Sequence, residues 1–431
     1  MRRSVLSLLS LFSYSVFFIL AACAPRQLET SIQETQAAAN EITARIGFTS
    51  SSSGNFKLES TQQANGIRLW MEHINQAGGI ELSNGSVVKF DSKDYDDEAD
   101  RARVEALYTR LISEDKTDFL ISPYSSTLAD SAAVIAEQYG RVMIAAGAAL
   151  DGVFQKGYTL VYQTYTPASQ YLTGALELLK QVDPQASDIA IIYESGQFSS
   201  FVSNGLKEYA EAQGYRVVLF EDYPPGTTDF SPIISKIEEA APDAILGGGH
   251  VPDGSAFVEQ LYENEVRARF IALLQAPLEP SFAGLGEAAF GIIGPSQWEP
   301  VAEIDQAAVE KKSLEWAGPS NATFITAYRD KYGEEPSYQA AGGYASGLIL
   351  QQAIVAAGSL DTQAVKAALD NLDMMTFFGQ IKFDNHAENH GMQSCHSMVY
   401  IQWQRDAAGH LVKRKIWPAP ADAPQIVYPI R

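Results

Sequence analysis

The chain has 431 residues, 46% hydrophobic and 19% charged, which is enough apolar material for a large core and excludes collagen-like, coiled-coil and wholly disordered chains. Its 31 Lys and Arg face 52 Asp and Glu, a formal charge of -21. A field of that sign repels phosphate backbones, so no nucleic-acid partner is expected. Two cysteines, Cys23 and Cys395, support neither a disulfide framework nor a four-cysteine zinc site.

Arg2 and Arg3 precede an uncharged, largely apolar run from Ser4 to Leu20, and the small residues Ala21 and Ala22 follow it. This is the pattern of an export signal over residues 1–22, with a retained membrane-spanning helix as the competing reading. Leu20-Ala21-Ala22-Cys23 also resembles the bacterial lipobox, which implies diacylglycerol on the Cys23 thiol. Acyl chains contribute about 0.8 kcal/mol per buried CH2, so two or more tether a folded domain to a membrane at the periplasm or cell surface. Cys395 then has no partner in the chain. Residues 23–41, rich in Gln, Ala, Thr and Glu, read as a spacer.

From Ile42 the pattern alternates short β-type runs with helical ones. Ile42 to Phe48 predicts a strand; Ala64, Ile67, Met71 and Ile74 fall at helical spacing before Gly78-Gly79. Then come Val87 to Phe90, a helix carrying Val104, Leu107, Tyr108 and Leu111, Phe119 to Ile121, a helix near Leu128 to Tyr139, and Val142 to Ile144. A second series follows Tyr162: a helix near Ser169 to Gln181, Ile189 to Tyr193, a helix with Val202, Leu206 and Tyr209, Val217 to Phe220, a helix near Ile233 to Ala240, and Ala244 to Leu246. Two successive βαβ series predict two doubly wound lobes. Beyond Trp298 helices are expected at Phe324 to Tyr332, Gln339 to Ala357 and Thr362 to Leu372, and strands at Ile381 to Phe383, Met398 to Ile401 and Val412 to Ile416.

Ligands of open α/β sheets bind beyond the carboxyl ends of the strands, which directs attention to the βα turns. After Phe119 to Ile121 come Tyr124, Ser125 and Ser126, whose hydroxyls either cap a helix or bind a carboxylate at its positive end. The small run Ala145 to Ala149 allows a ligand to approach backbone groups or serves core packing. Glu194-Ser195-Gly196-Gln197-Phe198 sets an aromatic ring at a helix start, and Gly247-Gly248-Gly249-His250 permits close approach at a strand end.

Enzyme signatures fail: there is no Gly-x-Ser-x-Gly, no phosphate loop ending Gly-Lys-Ser/Thr and no His-Glu-x-x-His. No enzyme activity, cofactor or metal is expected. Gly284-Leu285-Gly286-Glu287-Ala288-Ala289 matches a dinucleotide fingerprint only loosely. Asp94, Asp96, Asp97, Glu98 and Asp100 lack the glycine of a calcium loop and read as helix-start acids. His386, His390 and His396 read as a solvated loop.

Several of these residues form an ordered set. The lipobox, Gly47-Phe48-Thr49 with its Ser/Gly loop, Asn75 to Ile80, Asp94-Tyr95-Asp96-Asp97, Tyr124-Ser125-Ser126, Tyr328 to Gly333, the Pro336 to Ile354 helix and Gly379 to Asp384 resemble the leucine/isoleucine/valine-binding-protein type of ABC-transporter solute receptor. The likeness spans residues 42–417. It implies a type 1 periplasmic binding fold: two doubly wound parallel-sheet lobes, 42–163 plus 297–375 and 164–296 plus 376–431, joined by a three-strand hinge. The implied protein is a monomer that closes on a small-molecule solute and presents it to ABC permease membrane subunits. By position, Tyr124, Ser125 and Ser126 would hold a carboxylate or carbonyl, Gly147 and Ala149 would offer backbone groups, and Phe198 and His250 would press from the second lobe. Phe56 and Gln275 complete the expected wall.

This chain departs from the family at two points. Ala149 stands where branched-chain amino acid receptors usually carry a hydroxyl, and Gln275-Ala276 supplies no acid for a ligand ammonium. Burying an ammonium without an opposing charge costs several kcal/mol, so another acid such as Asp253 or Glu279 substitutes, or the ligand is an amide, a urea-like solute or an aromatic acid. A sensory module feeding a chemoreceptor or kinase would have the same sequence features.

Overall fold

The computed structural model describes residues 40–54, 56–302, 304, 306–311, 313–418 and 426–430. The export signal, the lipobox with Cys23 and nearly all of the spacer lie outside the described residues. Among those described, no helix is long and apolar enough to cross a membrane.

The first series runs β1 (Glu41–Ser50), α1 (Lys57–Gln76), β2 (Ile80–Glu81), β3 (Val87–Asp96), α2 (Arg101–Ser113), β4 (Phe119–Ile121), α3 (Ser126–Gln138), β5 (Met143–Ala145), the short α4 (Asp151–Phe154) and β6 (Val161–Gln163). Its sheet has the order β2-β3-β1-β4-β5-β6, parallel except for β2. Phe119, Leu120 and Ile121 are all buried, as a parallel strand covered on both faces requires.

The second series runs α5 (Thr173–Val182), β7 (Asp188–Glu194), α6 (Gln197–Ala212), β8 (Arg216–Tyr223), α7 (Ser231–Ala240), β9 (Ala244–Gly248), α8 (Val251–Glu263), β10 (Phe270–Leu273) and β11 (Ile293–Ser296). After it come α9 (Gln306–Lys311), β12 (Glu315–Trp316), α10 (Asn321–Tyr332), α11 (Tyr338–Ala357), α12 (Thr362–Asp370), β13 (Asp373–Thr376), β14 (Gly379–Lys382), β15 (Val399–Arg405) and β16 (Leu411–Trp417). The second sheet has the order β16-β15-β11-β10-β9-β7-β8, parallel except for β15, which runs antiparallel to both β11 and β16. A small sheet β12-β13-β14 stands apart. Gly284 to Ala288 falls in a 3-10 stretch, Pro280–Ala288, and not in a strand-to-helix turn.

Helix α11 packs along α1 so closely that a Cβ on Gly66 would lie 2.0 Å from the Ala340 carbonyl oxygen, and one on Gly347 2.0 Å from the Trp70 ring. That contact fixes α1, and with it the loop between β1 and α1 that carries Phe56. Phe377 stacks on Phe324 at 4.4 Å, with Trp298 and Tyr344 edge-on, tying the β13–β14 hairpin to α10 and α11.

The histidine segment corrects the expectation of a solvated loop. Only His386 is exposed. His390 is buried against Tyr162 and bonds to Asp370 at 2.9 Å. His396 is buried, stacked on Phe378, with Nδ1 2.7 Å from Thr166 Oγ1 and Nε2 2.8 Å from the Phe378 carbonyl. The polar neighbours that suggested solvent in the sequence are turn residues, and the rings between them fold inward.

The acids at and just beyond the end of β3 each have partners within the chain. Asp97 accepts from Thr49 and Ser51, both at 2.6 Å, Asp94 pairs with Arg68, and Asp100 caps α2. Cys395 is a free thiol.

Candidate functional site

Each sheet changes winding direction once. In the first, β1 lies between β3 and β4; in the second, β7 lies between β8 and β9. Turns beyond the carboxyl ends at such switch points expose backbone N–H groups and helix starts to a ligand. Here the turns of the two sheets share one cavity, with about 670 Å³ of space free of protein atoms. Phe56, Tyr124, Ser125, Ser126, Gly147 and Ala149 line it from the first sheet, and Phe198, His250 and Gln275 from the second. All nine residues named from the sequence are thus brought together.

Ser125 adopts φ 81 and ψ 143, a left-handed conformation that glycine favours and serine reaches only under strain. Its Oγ accepts the Leu128 N–H at 3.3 Å and so caps α3. Both readings of the hydroxyl hold together, because a capping oxygen still has its own proton to donate. Ser126 and Thr127 occupy the first turn, whose N–H groups lack intrahelical acceptors and carry the positive end of the helix dipole. Ser126 Oγ accepts from the Ala149 and Leu150 N–H groups, each at 3.1 Å.

That last pair corrects one expectation. The Ala149 N–H is spent on Ser126, and its carbonyl accepts from Gln163 Nε2 at 3.0 Å and the Ala168 N–H at 2.7 Å. Ala149 therefore has no free backbone N–H to offer a ligand, and its carbonyl already accepts two bonds. Gly147 is required by space: a Cβ there would lie 2.2 Å from Gln63 Oε1 and 2.8 Å from the Tyr124 ring.

Rings form much of the wall. Phe56 meets Tyr124 at 6.0 Å and His250 at 5.8 Å, Tyr171 meets Phe198 at 5.3 Å, and Tyr165 meets Tyr338 at 5.7 Å. Phe56 with His250 joins the two lobes across the cleft, as does Thr127 Oγ1, which donates to Gln197 Oε1 at 3.4 Å. Burial pushes the phenols of Tyr124, Tyr165 and Tyr338 well up, so they stay protonated and can donate.

Among the described residues one acid lines the cavity, and the sequence reading missed its role. Glu194, the last residue of β7, is 5% exposed, and its Oε2 is buried without a hydrogen bond, 3.4 Å from His250 Nε2. Burial raises its pKa, with His250 opposing. The Tyr165 hydroxyl and Ser199 Oγ are also buried and unpartnered at the same wall. Among the described residues no lysine or arginine lines the cavity. The two acids named from the sequence are elsewhere: Asp253 accepts the Tyr223 hydroxyl at 2.5 Å and the His250 N–H at 3.0 Å, and Glu279 faces a different cavity. Glu194 stood at a strand end, the signal used for Phe198. Tyr165, Tyr171 and Tyr338 carried no local signal, because they arrive from distant segments.

The sequence model of a family described as "Periplasmic binding protein" matches residues 43–408. The chain is 26% identical over 370 residues to Leu/Ile/Val-binding protein homolog 7 of Brucella suis biovar 1 (strain 1330), covering 82% of this chain and 87% of that one. It is 25% identical over 369 residues to homolog 8 of Brucella abortus (strain 2308), covering 82% and 86%. Among solved structures, the branched-chain amino acid transporter substrate-binding protein LivJ of Streptococcus pneumoniae, in complex with isoleucine, superposes with a TM-score of 0.68. That match has 22% identity over 86% of this chain and 100% of that one. A solute-binding protein of an ABC transporter from R. palustris, in complex with 4-hydroxybenzoate, gives a TM-score of 0.70. Its identity is 21%, over 87% and 96% of the two chains.

Proposed function

The chain belongs to the periplasmic binding protein family, and from that premise we propose that it captures a small zwitterionic amino acid outside the cytoplasm for the membrane subunits of an ABC importer. The observation that carries the ligand class is the buried Glu194 carboxylate, whose Oε2 accepts no hydrogen bond and faces His250, in a cavity that among the described residues is lined by no lysine or arginine. A lone carboxylate ligand would meet no cation there and one acid. A zwitterion balances both ends: its ammonium sits at Glu194 among the rings, and its carboxylate takes the Ser125 and Ser126 hydroxyls and the start of α3. Ligand contacts from both lobes exist together only when the cleft is shut, so binding shifts the population toward the closed form. The cycle involves no covalent step, and the protein is not an enzyme.

We place the lobe boundary so that the chain crosses between lobes near residues 164–166, 296–298 and 396–398. The third crossing follows β14 because β14 is hydrogen-bonded to β13, a pairing that division at 375/376 would cut. The lipid tether at Cys23 and a monomeric state complete the proposal.

One observation favours a second ligand class. The ring-lined wall suits the body of an aromatic acid, and burial raises the pKa of Glu194, which weakens its repulsion of such a ligand's carboxylate. Thermal shifts of the purified protein separate the two, since a ligand adds RT ln(1 + [L]/Kd) of stability. Leucine, isoleucine and valine are expected to raise the melting temperature, and Glu194→Gln to abolish the rise. A rise with 4-hydroxybenzoate alone, undiminished in Glu194→Gln, would reject the zwitterion reading.

A further inference from the structure

A second cavity, with about 1180 Å³ of space free of protein atoms, lies behind the Tyr338 ring. Tyr338 lines both cavities, and its hydroxyl bond to Gln275 helps to wall them apart. The second cavity draws Gln62 and Glu335 to Ser337 from one lobe, Leu278, Glu279, Ala283, Trp403 and Val412 from the other, and Glu299 to Val301 from just beyond the second crossing. Val301 is 51% exposed and marks the mouth.

Charge inside this cavity is unbalanced. Glu299 pairs with Lys413 Nζ at 2.6 Å, and Lys413 also donates to the Leu278 carbonyl. Glu335 is clamped by Arg329. Glu279 has no direct pair: it is 5% exposed, it lines the cavity, and among the described residues its carboxylate makes no hydrogen bond or ion pair, with Lys413 acting on it only at longer range. Leaving a buried carboxyl unmatched costs stability, and a protein that maintains one beside an apolar hollow has room for the missing donor. The hollow is walled by Leu278, Pro280, Ala283, Pro300, Trp403 and Val412, so the donor that fits carries an apolar body.

We propose that this second cavity binds a small organic ammonium ion, its charged head on Glu279 and its aliphatic or aromatic body against Trp403 and Val412. The reading is independent of what occupies the first cavity. Burial, with Glu59 on α1 and with Glu299 and Glu334, pushes Glu279 up to about 7, while Lys413 opposes. A cation therefore competes with a proton at this carboxyl.

The test titrates the full-length protein calorimetrically with phenethylammonium chloride and with neutral 2-phenylethanol, in the parent, Glu279→Gln, Ala283→Trp and Glu194→Gln. At pH 8 the ammonium is expected to bind, about tenfold more weakly in Glu279→Gln and Ala283→Trp and within about twofold of the parent in Glu194→Gln. The alcohol is expected to bind about tenfold more weakly than the ammonium. Parent affinity should rise about tenfold from pH 6 to pH 8 as Glu279 ionises. Gln keeps the size of the carboxyl without its charge, so Glu279→Gln folds even if the larger Trp is not accommodated. The proposal is overturned by no binding up to about 10 mM, by equal binding in Glu279→Gln, or by loss in Glu194→Gln alone, which would put the amine in the first cavity.

Discussion

The Tyr338 hydroxyl donates to Gln275 Oε1 at 2.7 Å, a bond from the first turn of α11 to the end of β10 that spans the two lobes. Both residues are buried, and the pair exists only while the lobes are together. Tyr338→Phe removes the donor and leaves Gln275 Oε1 unmatched when the cleft shuts. Affinity for the ligand is expected to fall by about 1 to 2 kcal/mol, roughly 5- to 30-fold, through a less populated closed form. Calorimetry measures the loss, and small-angle scattering of the ligand-loaded variant should show a larger mean radius. Unchanged affinity would mean that this bond does not contribute to closure.

Gly147 tests the geometry of the cavity floor. The added methyl of Gly147→Ala would press on Gln63 Oε1 and on the Tyr124 ring and backbone. Overpacking of this kind costs about 1 to 3 kcal/mol. Urea denaturation should show a lower midpoint with an unchanged slope, together with weaker ligand binding. A parental midpoint would show that the turn after β5 relaxes freely.

Acid stability is governed in part by His396. Burial between Thr166 and Phe378 pushes its pKa down to about 4 from the ordinary 6.5, so the folded form holds fewer protons than the unfolded one between those values. Stability therefore falls as pH drops from about 6.5 to about 4, by up to about 3 kcal/mol from this ring. Replacing it as His396→Gln should flatten the melting temperature over that window. A slope equal to the parent's would assign the acid sensitivity to other groups.

Glu279 has the opposite sign. Its pKa is raised to about 7 from 4.5, so the folded form keeps a proton that the unfolded form has released. Stability falls as pH rises from about 4.5 to about 7, again by up to about 3 kcal/mol. Glu279→Gln is expected to melt higher than the parent at pH 8 and close to it at pH 4.5. A variant that melts lower at pH 8 would show that the ionised carboxylate has a favourable partner in the fold.

Strand and helix positions were readable because local periodicity encodes them. Phe119 to Ile121 and Ala244 to Leu246 are short apolar runs of the kind a covered parallel strand takes, and both are such strands. The cavity walls at Tyr124, Ser125, Ser126, Phe198 and His250 were legible for a related reason: each follows a strand end, and in a doubly wound sheet those ends share one edge. The histidine segment misled, since the inward turn of His390 and His396 depends on Tyr162, Thr166 and Phe378, which are far away in sequence.

What the amino-acid order determined by itself is therefore the alternation of elements, the two windings and the set of turns that line the cavity. Tertiary structure alone decided which acid faces the cavity. Glu194, Asp253 and Glu279 are all carboxyls near strand ends, yet one is bonded to Tyr223, one looks into a second hollow and one is left unmatched beside His250. Charge balance in a buried space depends on every group within a few ångströms, and chain neighbours supply only some of them.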